Sequence, residues 1–129
     1  MRSLNRVALM GHLAADPEVK ITSGGNSLTR FRLATNRDWK NSDGERHEET
    51  DYHRIVAWRK LAEICGKHLR KGAGIYLEGK LTNHKYQSAD GTERIATEIV
   101  ADVVNFISLK KSADSNQDEV TLIEVQPEQ

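Results

Sequence analysis

The sequence is poor in cysteine and has no long apolar run. Its single cysteine, Cys65, cannot form an internal disulfide, which agrees with a reducing compartment. No stretch of about 18 apolar residues occurs, so no membrane-spanning helix is predicted. Residues 1–6 lack the basic flank and apolar segment of a signal peptide. We therefore expect a soluble, intracellular protein.

The chain also has no net charge, because 19 Lys and Arg residues balance 19 Asp and Glu residues. An even balance argues against a nucleic-acid binder, since such domains are usually basic. The charges are unevenly placed, however. Residues 1–111 hold all 19 cationic residues and 14 acidic ones, a net charge of +5, while residues 112–129 hold the other 5 acidic residues. A basic body joined to an acidic tail suits a polyanion binder better than the total charge does.

The length of 129 residues is sufficient for one domain with one core. We assign that domain to residues 1–111. Residues 112–129 are polar and acidic, with Ser, Asn, Gln and Pro, so we expect a disordered C-terminal tail there.

The alternation of apolar and polar residues predicts five strands, and one segment has helical spacing instead. The strands are expected at Asn5 to Leu13, Ser27 to Thr35, Thr50 to Trp58, Gly74 to about Tyr86, and roughly Glu93 to Leu109, with the helix at Lys60 to Leu69. Asn36 to Glu48 reads as a long polar loop. The order predicts an all-β fold: a five-stranded OB barrel, with one helix between strands 3 and 4.

Seven aromatic residues occur in the chain. Phe31 and Phe106 are expected in the core, and Tyr76 against the barrel wall. The other four lie at outward positions or in loops, near cationic side chains. The candidate interface is Trp39, Tyr52, Trp58 and Tyr86 with Arg30, Arg32, Arg54, Lys60, Lys71 and Lys85.

Exposed aromatic rings beside cations indicate a partner with flat rings and negative charge. Unpaired nucleic-acid bases and their phosphates supply both. Surface aromatics also occur for cross-strand packing alone, so a purely structural interpretation stands beside this one.

Several short segments, in the same order, are similar to one known family. They are Asn5-Arg6-Val7 through Gly11-His12-Leu13, Asp16-Pro17-Glu18-Val19, Leu33-Ala34-Thr35, Thr50-Asp51-Tyr52-His53-Arg54, Lys60-Leu61-Ala62-Glu63, Leu69-Arg70-Lys71-Gly72 and Tyr76-Leu77-Glu78-Gly79. Over about residues 4 to 109 the chain resembles bacterial single-stranded DNA-binding proteins.

This resemblance implies a protein that binds and protects single-stranded DNA without strong sequence preference during replication, recombination and repair. It implies that Trp39, Tyr52, Trp58 and Tyr86 stack on bases. It also implies a homotetramer in which His53 lies near a subunit interface.

Two features depart from that family's pattern. The family's tail usually ends in an acidic tip with a terminal Pro-Phe that recruits replication and repair proteins, whereas residues 125–129 here end without an aromatic. Such recruitment is therefore left open. Thr82 and His84 occupy outer positions of the last hairpin, where the resemblance implies more basic residues. The resemblance implies the bacterial nucleoid, and the sequence also leaves a phage or organelle source open.

Other signals are too weak to define a site. Cys65 and His68 lie on adjacent helical turns, but the further ligands of a metal site are missing. Glu48 and Glu49 are neighbours on an extended segment and face opposite sides, so they cannot form a catalytic pair. We therefore predict no enzyme activity, no cofactor and no metal.

The sequence leaves three alternatives to single-stranded DNA binding open. An RNA-binding OB module would use the same kind of stacking face. A protein-interaction OB domain would bind DNA only weakly. A nucleic-acid-processing enzyme is the third alternative, and a turnover assay with metal present would test it.

Overall fold

The computed structural model describes the backbone of residues 1–111 and 118–125 and the side chains of residues 1–107. The elements are β1 Val7–Leu13, β2 Glu18–Ile21, β3 Ser27–Lys40, β4 Arg46–Trp58, α1 Arg59–His68, β5 Gly74–Gln87, β6 Glu93–Lys111 and β7 Asp118–Val125. Within the described ranges, no helix has the length and apolar character needed to cross a membrane.

Five of the strands close into a barrel in the order β1, β5, β6, β4 and β3. The ring is completed where β1 returns to β3, with His12 opposite Ala34 and Leu13 opposite Leu33. Neighbouring strands are antiparallel except β4 and β6, which run parallel at two residue pairs. The short strand β2 pairs with β3 outside the ring. The predicted five-stranded OB barrel is confirmed.

The barrel interior is filled by the inward-facing side chains of alternating positions. Leu33, Ile55 and Leu77 are among the fully buried residues. Helix α1 lies between β4 and β5 in sequence and buries Leu61, Ala62 and Cys65. The hydroxyl of Thr29 donates to the Ala62 carbonyl at 2.7 Å, which ties α1 to β3. The helix thus lies where it was predicted, between the third and fourth strands of the barrel.

The predicted long loop over Asn36 to Glu48 is wrong. Strands β3 and β4 continue past the barrel as a paired hairpin that turns at residues 41–45, where Gly44 has φ 80°. We call residues 36–51 the β3–β4 arm. Both faces of the arm are polar because it projects away from the core, so its sequence has no apolar alternation to reveal the strands.

Asp118–Val125, within the segment for which we expect a disordered tail, forms β7 and pairs antiparallel with the last part of β6. The segment has four β-branched residues, Val120, Thr121, Ile123 and Val125, which favour strand structure despite the surrounding acidic charge. Strand β7 pairs with residues 104–111 of β6, which follow the two residues, Ile99 and Val100, that pair with β4. The remainder of the predicted tail, 112–117 and 126–129, lies outside the described residues.

Candidate nucleic-acid interface

Two arginines face each other on the outer surface of strands β3 and β4. Arg32 lies directly opposite Arg54 in the strand register. Like charges in this position repel and destabilise the sheet. Among the described side chains, no carboxylate forms an ion pair with either one. The pair therefore presents uncompensated positive charge on the barrel surface.

A groove of about 630 Å³ runs from these arginines across to strands β5 and β6. We call it the central groove. It is lined by Arg30, Arg32, Arg54, His84, Tyr86 and Glu98, among others. The barrel brings these side chains together because β6 lies beside β4, and β5 lies beside β6. Four of the residues predicted for the interface, the three arginines and Tyr86, thus line one groove.

Three carboxylates, Asp16, Glu18 and Glu98, line the central groove, and Glu98 is the buried one. Glu98 is only 8% exposed, and its Oε2 atom lies 3.3 Å from Nε of Arg30. Its Oε1 atom lies 3.2 Å from Nδ1 of His84. Glu98 therefore neutralises Arg30 and leaves Arg32 and Arg54 as the unpaired arginines of the groove.

Three of the predicted aromatic residues lie on the same outer surface as these arginines. Tyr52 is 61% exposed and Trp58 is 40% exposed, and both share the outward parity of Arg54 on β4. Tyr86 is 42% exposed and lines the central groove. Their rings are available to stack with a bound molecule.

Trp58 belongs to a second groove of about 430 Å³, which we call the Trp58 groove. It is lined by Asn26, Trp58, Arg59, Leu61, Val100, Ala101 and Asp102. Residues of both β4 and β6 line each of the two grooves. Strands β4 and β6 pair with each other at Ile55–Ile99 and Val56–Val100.

Trp39, the fourth predicted aromatic, lies on the opposite face of the hairpin. It faces His47 across the β3–β4 arm, and the two rings stack with centroids 5.5 Å apart and planes 20° apart. The Arg37 guanidinium lies 5.7 Å from the Trp39 ring centroid. Trp39 is still 42% exposed, but it is not part of the surface that carries Tyr52, Trp58 and Tyr86.

The charges of the β3–β4 arm are largely satisfied within it. Arg37 donates to Asp51 at 2.6 Å and to Glu49 at 2.8 Å, while Arg46 donates to Asp38 at 2.6 Å. The hydrogen bond from Arg37 lowers the pKa of Asp51 below its usual value. The carboxylates of the arm thus pair with Arg37 and Arg46. Arg32 and Arg54 on the outer surface have no such ion pair among the described side chains.

The predicted lysines and His53 are distributed around this surface. Lys60 is exposed in the first turn of α1. Lys71 adjoins the central groove, because its backbone N–H donates to Oδ1 of Asp16, a lining residue, at 2.8 Å. Lys85 pairs with Glu93 at 3.6 Å, on the face of β5 opposite to Tyr86. His53 is half-buried, with Nε2 2.8 Å from the Thr35 hydroxyl.

Sequence reasoning missed several residues of these grooves, including Glu98 and Arg59. Glu98 could have been found from its parity, because Ala96, Glu98 and Val100 occupy the same outward positions of β6. Arg59 carries no such signal, because it lies at the junction between β4 and α1, where neither periodicity applies.

The described residues contain no group of three or more His, Cys, Asp or Glu side chains arranged to hold a metal ion. Cys65 is fully buried on the inner face of α1, and this burial raises the pKa of its thiol to about 12. A thiol in this environment is neutral at physiological pH and packs as a small apolar side chain.

The barrel and its cationic, aromatic outer surface define the class of OB proteins, a fold whose strand face and loops commonly bind oligonucleotides. Residues 4–107 match the Single-strand binding protein family. The chain belongs to that family, which confirms the resemblance noted in its sequence.

Related proteins and a solved structure agree with this assignment. The chain is 45% identical over 105 residues to a single-stranded DNA-binding protein of Neisseria meningitidis serogroup A, covering 81% of this chain and 60% of that protein. It is 42% identical over 118 residues to single-stranded DNA-binding protein 1 of Chlorobaculum tepidum, covering 91% of this chain and 73% of that protein. The chain thus spans about 60% of the length of its Neisseria relative.

A solved structure of the Plasmodium falciparum SSB in complex with single-stranded DNA is also similar. The TM-score is 0.72 at 30% identity, and the match covers 98% of both chains.

Proposed function

We propose that this protein binds single-stranded DNA along the outer surface of β3, β4, β5 and β6, without strong preference for base sequence. It acts by binding and not by catalysis. The role that follows is protection of exposed single strands during DNA replication, recombination and repair. The family and the relatives' descriptions support this proposal.

The observation that carries the proposal is the Arg32–Arg54 pair. Two arginines held opposite each other, with no ion-paired carboxylate among the described side chains, leave an unfavourable repulsion in the free protein. A phosphate between or beside them would relieve that repulsion, because the anion interacts favourably with both guanidinium groups. A nucleic-acid backbone supplies such anions at regular intervals.

The aromatic residues favour an unpaired strand over a duplex. Tyr52, Trp58 and Tyr86 present exposed rings beside the arginines, and rings can stack only on bases that are free to leave their own stack. Every base has a flat face, so this mode of binding tolerates different sequences.

We also propose that the chain assembles as a homotetramer. Strand β1 pairs with β5 along residues 7–12 but meets β3 only at His12 and Leu13, so residues 7–11 keep one edge unpaired within the described chain. An unpaired strand edge favours pairing with another copy. Met10, 63% exposed on the outer face of β1, adds apolar surface there.

Titration of the full chain with oligothymidine, followed by tryptophan emission, tests the proposed function. We expect quenching and strong binding at low salt, much weaker binding of a duplex of equal length, and weaker binding of oligouridine. Equal competition by the duplex would contradict the proposal. Tighter binding of oligouridine than of oligothymidine would instead favour an RNA-binding module.

A further inference from the structure

Arg59 has a backbone conformation that arginine rarely adopts. Its φ is 59°, in the left-handed region, and it is the one described residue other than glycine with positive φ. Side chains with a Cβ are disfavoured there, and glycine would fit without strain. An arginine kept in such a position indicates that the side chain serves a purpose other than local stability.

The surrounding helix does not explain the arginine. Helix α1 begins after Trp58, which makes no side-chain capping hydrogen bond, and its first turn contains no acidic residue. A cation in the first turn of a helix opposes the helix dipole. Arg59 therefore weakens the start of α1 both through its φ and through its charge.

The Arg59 side chain lies in the Trp58 groove without an ionic partner among the described residues. The carboxylate that lines the same groove, Asp102, is held by Arg6, with Nη1 2.7 Å from Oδ2 and Nη2 3.2 Å from Oδ1. Arg6 also contacts Glu78 at 2.9 Å. Asp102 is thus paired with Arg6 and makes no ion pair with Arg59, so the Arg59 guanidinium can contact a ligand.

The position of Arg59 continues the proposed DNA surface. The Trp58 groove and the central groove share strands β4 and β6, so a strand that passes Arg54 and stacks on Trp58 next reaches Arg59. We propose that Arg59 binds a phosphate of the single strand beside the base that stacks on Trp58. This inference rests on the proposed function and extends the interface past the end of β4.

Replacement of Arg59 by glycine separates this role from a structural one, because glycine adopts φ near 59° freely and the variant should fold. We expect Arg59→Gly to keep or raise the unfolding temperature and to weaken oligothymidine binding about three- to tenfold at low salt. The slope of log affinity against log salt should fall by about 0.7, the change expected for one lost phosphate contact on a single strand.

Two further variants serve as controls. Arg59→Lys keeps the charge and should preserve most of the salt slope. Lys67→Ala removes an exposed cation from the same helix that lines neither groove, and it should leave the slope unchanged.

If the parent chain binds and Arg59→Gly binds equally well with the same slope, the inference is wrong and the proposed function stands. An affinity loss with an unchanged slope, or with a lowered unfolding temperature, would also overturn it. Failure of the parent chain itself to bind would reject the proposed function.

Discussion

At the scale of single residues, the outer surface separates two kinds of contact that respond differently to salt. Stacking on a ring depends little on ionic strength, whereas a phosphate contact releases counterions and weakens as salt rises. Trp58 and Arg54 lie on the same face of β4 and are suited to one contact of each kind.

We predict that Trp58→Ala weakens oligothymidine binding by about 1–3 kcal/mol and leaves the salt slope nearly unchanged. Arg54→Ala should reduce that slope by about 0.7. Fluorescence anisotropy of a labelled oligonucleotide over a series of salt concentrations measures both quantities. Trp58→Phe retains a ring and should keep most of the affinity. Parent-like affinity in Trp58→Ala would show that this face is not a stacking platform.

The candidate site could be predicted from sequence where a side chain lies on a regular strand. Parity placed Arg30, Arg32 and Arg54 on one outer face, and the structure brings all three to the central groove. The sequence groups Trp39 with the other aromatics because its polar segment reads as a loop, in which alternating positions do not define faces. Because the segment is in fact part of β3, the alternation of side chains along the strand places Trp39 on the face opposite to Arg32 and Arg54.

At the scale of the elements, close backbone approach in the barrel depends on small residues at particular strand positions. A Cβ on Gly79 would lie 2.1 Å from the Val100 carbonyl oxygen and 2.8 Å from the Val100 carbonyl carbon. Both atoms belong to the backbone, and the β5–β6 register shifts at this point. No rotation of a side chain could relieve such a contact.

Gly79→Ala should therefore destabilise the fold by about 1–3 kcal/mol, the usual cost of overpacking a core. Urea denaturation followed by circular dichroism gives this free energy of unfolding. Gly24→Ala is the matched control, because the nearest atom to its added Cβ would be Asn26 Nδ2 at 3.9 Å. Equal stability of the two variants would show that β5 and β6 can separate at the bulge at little cost.

The elements themselves were predictable where they border the core. The barrel strands and α1 alternate or repeat apolar residues because one side of each must be buried. The β3–β4 arm and β7 were missed because neither is identified by such a pattern. In the arm, cross-strand ion pairs such as Arg37–Asp51 stabilise the hairpin, and these depend on a register that cannot be read before the pairing is known.

At the scale of the whole molecule, the unpaired edge of β1 predicts association. Light scattering on the full chain at micromolar concentration should give the mass of a tetramer, and a monomer mass would reject the proposed assembly. His53→Tyr adds bulk at the position that the family resemblance places near an interface, so we expect smaller species on dilution. Thr35→Val replaces the hydroxyl near His53 Nε2 with a methyl group of similar size and should leave the mass unchanged.

The short parallel seam between β4 and β6 has a consequence for how the chain folds. It joins Ile55 to Ile99 and Val56 to Val100, residues that are far apart in sequence, so it cannot form by local zippering of a hairpin. Folds dominated by such distant pairings typically fold in milliseconds to seconds. Until the seam forms, β4 and β6 each keep an exposed edge, and neither groove exists because both are lined from the two strands. The ability to bind a ligand in these grooves thus arises only when the β4–β6 seam forms, and until then the unpaired strand edges make the chain prone to aggregate.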